Sequence, residues 1–231
     1  MFKIHHSNDR GTFTNSWLKA KFSFEFGGYR NKERKPYSDL LVFNDDIVAP
    51  GGGFSPHPHD NVEVISFPLA GKIQHTDSLG SHAIISYGDV HLMRAGSGIF
   101  HSEMNASALE AEHHVQWWIT PKHQNSKPTY QVKNFTVEEK LNRLCLIASQ
   151  DGEAGSLMVD QDIKIYASII DNHPIPWSPP HSRRAYVHIL SGTLAINDIE
   201  LEAGDGVHIE NEHKLLFHPR NRAEFILFDL R

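Results

Sequence analysis

Cys145 is the only cysteine in the chain, so no intrachain disulfide can form and no thiolate-rich metal site can be assembled. Long apolar runs are missing as well. No stretch approaches the roughly 20 residues that span a bilayer, and the opening MFKIHHSNDRG contains no apolar signal core. These features predict a protein of a reducing, cytoplasmic compartment with no membrane partner. Positive charge is scarce: 22 basic residues face 28 acidic ones, for a formal net charge of −6. The broad basic footprint of a nucleic-acid binder is not there, and no direct nucleic-acid contact is expected. The triplets Asn105-Ala106-Ser107 and Asn134-Phe135-Thr136 match glycosylation acceptors, but they carry no meaning in a cytosolic protein.

Helical periodicity is equally thin. TVEEKLNRL (136–144) is the best helical candidate. What recurs instead are short apolar or alternating runs between turn residues: LLVFN, VEVISFPL, GKIQHTD, HAIIS, DVHLM, VQWWIT, LCLIA, IKIYASII, AYVHIL, GTLAIN, GVHIE, KLLFH and EFILFDL. Many short strands at close spacing predict an all-β sandwich or barrel. DSLG and SYGD read as turns, their glycines relieving positive φ. At 231 residues, with 39% hydrophobic and 22% charged, the chain is an ordinary globular one, long enough for one large β domain or two small ones.

An internal echo favours two. SFPLAGKIQH followed by ISYGDVHLM is matched later by VHILSGTLAI followed by LEAGDGVHI. Each half reads as strand, Gly turn, strand, Gly-Asp turn, strand, and two barrels of one design in tandem explain the length. The expected boundary puts an N-terminal barrel with a metal site over 1–133 and a C-terminal degenerate barrel without metal over 134–231. The Pro-rich DNHPIPWSPPH (171–181) reads as a connection inside the second half rather than a flexible linker.

Histidine is the one abundance, at 17 residues, and its placement is what matters. His57 and His59 form an H-x-H, and residues two apart on a strand share a face, so both imidazoles can reach one point. Pro58 between them is tolerated if that strand is at an edge or just starting. His101 and Glu103 repeat the spacing of two. A lone H-x-H is most often a pair of ordinary histidines, but two such pairs bracketing one repeat point to one metal. Three imidazoles and a carboxylate leave one or two positions open for water, substrate or dioxygen, unlike a closed structural zinc. This sulfur-free donor set suits Fe(II), Ni(II), Cu(II), Mn(II), Co(II) or Zn(II) without choosing among them.

These segments resemble the two cupin motifs, G-x5-H-x-H-x3-E-x6-G and G-x5-P-x-G-x2-H-x3-N. Gly51, His57, His59 and Glu63 fit the first, with its last Gly one residue late at Gly71; Gly98, His101 and Asn105 fit the end of the second, with Gly96 and Ser97 where its Pro region falls. More closely, HPHDNVEVISFPLAGKIQHTDSLG and DVHLMRAGSGIFHSEMN resemble the pirin family, whose signature reads H-P-H, then H-x-D-S-x-G, then A-G-x-G-I-x-H-S-E. WLKAKFSFEFGGYRN is similar to a pirin opening.

The resemblance implies a bicupin with one metal, in the N-terminal barrel, held by His57, His59, His101 and Glu103. An ordinary cupin would use Glu63 as fourth ligand, and the choice of Glu103 rests on the family, with the His101–Glu103 spacing in its favour. It implies Fe(II) as the first metal to expect, and a quercetin 2,3-dioxygenase-like activity on a small aromatic substrate with dioxygen. Glu103 is then also the candidate catalytic base. The alternative it leaves is a regulator without enzymatic activity that binds a protein partner under control of the metal's redox state. Apolar pocket walls are expected from Phe54, Ile65, Phe67, Met93 and either Trp117 or Trp118.

In the second half, setting Gly192 on Gly71 puts Ser178 and Pro180 at the places of His57 and His59. Setting Gly204 on Gly88 puts Phe217 and Pro219 at those of His101 and Glu103. No ligand set results, and His181 and His218 nearby make no period-two pair. Among lesser candidates, Gly96-Ser97-Gly98 reads as a tight turn delivering His101 rather than a phosphate loop. The pairs His113-His114 and Trp117-Trp118 should each split between two faces. His75 reads equally as pocket lining or strand surface.

Overall fold

Alternating side chains make the strands, and turn glycines fold them back. The computed structural model describes every residue except His181. Each strand expected above, from LLVFN to EFILFDL, is a strand. By contacts the chain divides into two units: Gly11–Asn134 with Val159–Gln161, and Met1–Arg10 with Phe135–Met158 and Asp162–Arg231. Each consists of a seven-stranded and a four-stranded sheet, and the protein is all-β, two cupin barrels in tandem.

In the first unit the larger sheet has at its centre Asp89–Arg94, Glu63–Ala70, Glu112–Ile119 and Leu40–Val48, in hydrogen-bonded order. The smaller sheet runs Gly53–His59, Ile99–Asn105, Lys72–Asp77, His82–Ser86. The chain passes back and forth between the sheets, which brings strands distant in sequence side by side. The second unit repeats this winding, with Ile175–Trp177, Leu215–Pro219, Thr193–Ile196 and Ile199–Glu202 as its smaller sheet. The echo is anchored at Gly71 and Gly192, at φ +71° and +76°. A Cβ there would come within 2.8 Å of Glu112 Cα in the first case and 2.2 Å of the Arg222 carbonyl oxygen in the second, so neither turn tolerates a side chain.

Two features differ from the sequence reading. Residues 1–10, assigned there to the first barrel, group with the second because Phe2–His5 pairs antiparallel with Gly206–Ile209; no local pattern reveals so remote a partner. The helix expected over 136–144 is a single turn, Val137–Lys140, held by a capping box between Thr136 and Glu139. It stops because Leu141 is extended and bridges Ile169, and Asn142 takes positive φ. No helix among the described residues is long and apolar enough to cross a membrane.

Candidate metal centre

The strand carrying His57 and His59 is the edge of the smaller sheet in the first barrel, where Pro56 and Pro58 interrupt no second ladder. It lies close against its neighbour: at Gly53, φ +151°, a Cβ would stand 2.5 Å from both Glu103 O and Met104 Cα. His101 is directly opposite His57, whereas Glu103 is opposite Phe54, so the edge strand carries one extra residue between Phe54 and His57.

The three imidazoles form a near-equilateral triangle. Ring centroids are 4.5 Å apart for His57–His101 and 4.9 Å for both other pairs, and one nitrogen from each lies within 4.8 Å of the others. His57 Nδ1 sits 2.8 Å from the Ser55 carbonyl oxygen. A carbonyl only accepts, so Nδ1 carries the proton and Nε2 keeps its lone pair. His101 is 2% exposed, yet neither of its ring nitrogens has a hydrogen-bond partner. Buried polar atoms left so are rare and need a reason, and a bound metal supplies one for the nitrogen that would ligate it. Burial takes the pKa of His59 down to about 4, and the nearness of His57 adds to the shift. Burial likewise takes His101 down to about 3, against the pull of Glu103. Both are neutral at pH 7, the form in which imidazole ligates.

Glu103 is 4% exposed. Its Oε1 accepts from Ser66 Oγ at 3.2 Å and lies 3.1 Å from His91 Nε2, while Oε2 accepts from Gln116 Nε2 at 2.8 Å. Burial pushes its pKa up, but the adjacent His91, with His101 and His114 nearby, holds the carboxyl well below its usual range. It forms a tight group with His75 and His101, adjoining the group of His57, His59 and His101, and it lines one cavity with His57 and His59. Glu63 is elsewhere engaged: fully buried, it accepts from Arg94 Nε at 2.9 Å and, through both oxygens, from the Asp160 N–H at 2.9 Å.

Around the site, the structure settles two histidines that the sequence left open, His75 and His114. His75 is fully buried, stacked on Tyr130 (centroids 4.3 Å, 11°) and 5.4 Å from the His101 ring. Its Nε2 is 3.0 Å from Asp77 Oδ2, and its buried Nδ1 has no partner. The H-x-D spacing is the signal that could have paired them, since period two puts both on one face. Behind Glu103, His114 is raised to about 9: burial opposes this, but Glu112, 2.6 Å from Nδ1, and Asp46 prevail. Burial in turn lifts Asp46 to about 7, against the charge of His114.

The cavity has a volume of about 360 Å³. Of the walls expected, Phe54 and Trp118 line it. Ile65, Phe67 and Trp117 are fully buried away from it, and Met93 is packed into an apolar cluster with Val62 and Val64. The remaining aromatic walls are Phe13 and Phe22, from a strand pair that joins the larger sheet through Leu40–Val48, and Phe26, which follows that pair and bridges Tyr29. Trp118 meets both His59 (4.9 Å, 85°) and Phe26 (5.3 Å, 90°) edge-on.

In the second barrel the pairing corrects the alignment. Glu103 is opposite His75, and Phe217 is opposite Ile196; His101 is opposite His57, and Leu215 is opposite Trp177. Phe217 therefore stands at the place of Glu103, Leu215 at that of His101 and Trp177 at that of His57. Thirteen positions separate Gly88 from His101 but eleven separate Gly204 from Leu215, and this shorter connection displaced an alignment anchored on Gly204. His181 is outside the described residues.

The chain matches the family model described as Pirin over residues 3–119, and that described as Quercetinase C-terminal cupin domain over residues 146–230. It is 32% identical over its whole length to the quercetin 2,3-dioxygenase of Escherichia coli strain K12, covering 99% of that protein. A pirin-like protein of Caulobacter vibrioides is 32% identical, with 95% of each chain covered. Among solved structures, the bacterial pirin YhhW of Escherichia coli in complex with nickel(II) superposes with a TM-score of 0.95 at 32% identity, covering 100% of this chain and 99% of that one. Likeness of this extent, carried through both barrels, makes the chain a member of the pirin family.

Proposed function

We propose that this chain is a metal-dependent dioxygenase of the quercetin 2,3-dioxygenase type, acting on flavonols at a single mononuclear site held by His57, His59, His101 and Glu103. The observation that carries the reading is the buried His101 with two unpartnered ring nitrogens, in a triangle with His57 and His59. His57 and His59 open on an aromatic cavity of about 360 Å³, within the ~300–1,000 Å³ usual for small-molecule sites. Iron(II) is the metal we assign first, although the related Escherichia coli pirin was crystallised with nickel(II).

A divalent metal at this site would supply a Lewis acid that lowers the pKa of a hydroxyl group beside a carbonyl, as in a flavonol. The protein's part is orientation and proton handling. Phe54, Phe26 and Trp118 offer flat apolar surfaces against which the fused rings lie. Glu103 is anionic at neutral pH, so it can ligate or accept the hydroxyl proton. Its depressed pKa makes it a weak base, so proton transfer to it depends on prior acidification of the hydroxyl. The neutral His59 and His101 leave their lone pairs to ligation.

The test is oxygen consumption with quercetin by purified, metal-loaded protein, alongside elemental analysis. Metal-dependent oxygen uptake is the expected result; tightly bound metal without any uptake would remove the dioxygenase reading.

A further inference from the structure

Gln116 lies on Glu112–Ile119, opposite Ser66, and is 9% exposed. Its Nε2 donates to Glu103 Oε2 at 2.8 Å and to Ser66 Oγ at 3.0 Å, and Ser66 Oγ donates in turn to Glu103 Oε1 at 3.2 Å. At its other end, Gln116 Oε1 accepts from Trp118 Nε1 at 2.9 Å. Among the described residues, Gln116 is the hydrogen-bond partner of Glu103 Oε2, whereas Oε1 is held by Ser66 and His91.

Both end partners are one-way. An ionised carboxylate can only accept and an indole N–H can only donate. Turning the amide over would set its oxygen against Glu103 and its NH2 against the indole N–H, losing both bonds and adding a repulsion. The amide thus has one orientation, and so do the two groups it joins. Trp118 then stands near-perpendicular to His59, ring centroids 4.9 Å apart, and Glu103, Gln116, Trp118 and His59 all line the one cavity.

We infer that Gln116 is a positioning residue that links Glu103 to Trp118, so that one amide sets both the carboxylate at the metal site and an aromatic wall of the cavity. The inference rests on the metal-site reading above. It also gives Trp118 a role beyond apolar lining: its N–H keeps Gln116 turned the right way for Glu103.

The test is nickel(II) titration of the full chain as wild type, Gln116→Met, Trp118→Phe and the double variant, with melting of each metal-free form. Residues that orient a ligand from behind typically change metal affinity 10–100-fold, so Gln116→Met should weaken nickel binding about 10-fold or more. Trp118→Phe keeps an aromatic ring at the wall but removes the N–H donor, and should weaken binding by a smaller factor. The double variant should bind no more weakly than Gln116→Met alone, because the link is already broken. Wild-type affinity in Gln116→Met, or multiplying losses in the double variant, would overturn the inference, even if melting temperatures fall as for any buried polar deletion. Should Gln116→Met fail to fold, Trp118→Phe at the cavity wall decides, with wild-type affinity again the overturning result. A wild type that binds nickel but consumes no oxygen with quercetin would count against the dioxygenase and leave these titrations valid. A wild type that binds no nickel would overturn the metal-site reading and the inference resting on it.

Discussion

Where the first barrel sets Ser66 between Gln116 and His91, the second sets Val187 between Leu227 and Val207. The substitution continues strand by strand: His75 gives way to Ile196, Glu103 to Phe217, His101 to Leu215 and His57 to Trp177. In the second barrel these residues join one apolar cluster, with Trp177 packed against it and Val187, Val207, Leu215, Phe217 and Leu227 all at 0% exposure. One winding therefore supports two interiors. Large apolar side chains contribute about 1.5–3 kcal/mol each on burial, so the second barrel is a dense, stabilising core. The first gives up that packing for a cavity and for buried ionisable groups, which are tolerable because they bond to one another. The difference between the two barrels lies chiefly in the inward side chains, with a bulged edge strand and a connection two residues longer in the first.

The sharpest way to break this comparison is to exchange consequences between the barrels. Replacing His57, His59 or His101 with Ala should abolish tight metal binding while circular dichroism stays that of a folded β protein. Global unfolding instead would make the site a structural one. Conversely, Phe217→Ala, at the position equivalent to Glu103, should cost about 3–5 kcal/mol in denaturant unfolding, with metal content unchanged.

The next contrast lies inside the first barrel. Glu103→Gln should weaken metal binding and remove flavonol oxidation, since the amide is a poorer ligand and cannot take a proton. Glu63→Gln, whose oxygens are engaged by Arg94 and the Asp160 N–H, should keep the metal. If Glu63→Gln loses metal and Glu103→Gln retains it, the fourth ligand has been misassigned. Elemental analysis of the wild type should find one transition metal per chain, and two would contradict the assignment of the second barrel as metal-free.

The smallest effect is with pH, in the metal-free protein. His59 and His101 have folded pKa values of about 4 and about 3, below the ordinary imidazole value of about 6.5. The unfolded chain therefore binds more protons below pH ~6.5, so their share of stability is complete above that pH and is lost progressively as pH falls toward 4. Asp46, with a folded pKa of about 7, works the other way over the same window, so the check is a comparison: His59→Phe should lose less melting temperature than wild type on acidification from pH 6.5 to 5, and an equal loss would contradict a neutral, buried His59.

Much of this was legible one strand at a time. Residues two apart share a face whatever surrounds them, so the His57/His59 and His101/Glu103 pairs, and the strands that carry them, follow from spacing. Gly71 and Gly192 marked the echo because their turns exclude a Cβ. The Trp117–Trp118 alternation was equally readable, but nothing local said that the cavity would be on the side of Trp118. The truncated helix shows the reverse limit: Thr136 and Glu139 cap correctly, and then Leu141 is taken by a bridge to Ile169.

Chain order and side-chain period were thus enough for the all-β class, the echo of two halves and the two period-two pairs, whereas the choice of Glu103 over Glu63 rested on the family resemblance. Barrel closure decided the rest: that Phe13 and Phe22 wall the cavity, that Phe2–His5 completes a sheet with Gly206–Ile209, and that Gln116 joins Glu103 to Trp118. Those relations join strands across long stretches of chain, or depend on which face of a strand turns inward. A strand's own sequence specifies its alternation but neither its neighbour nor the space enclosed when the sheets meet.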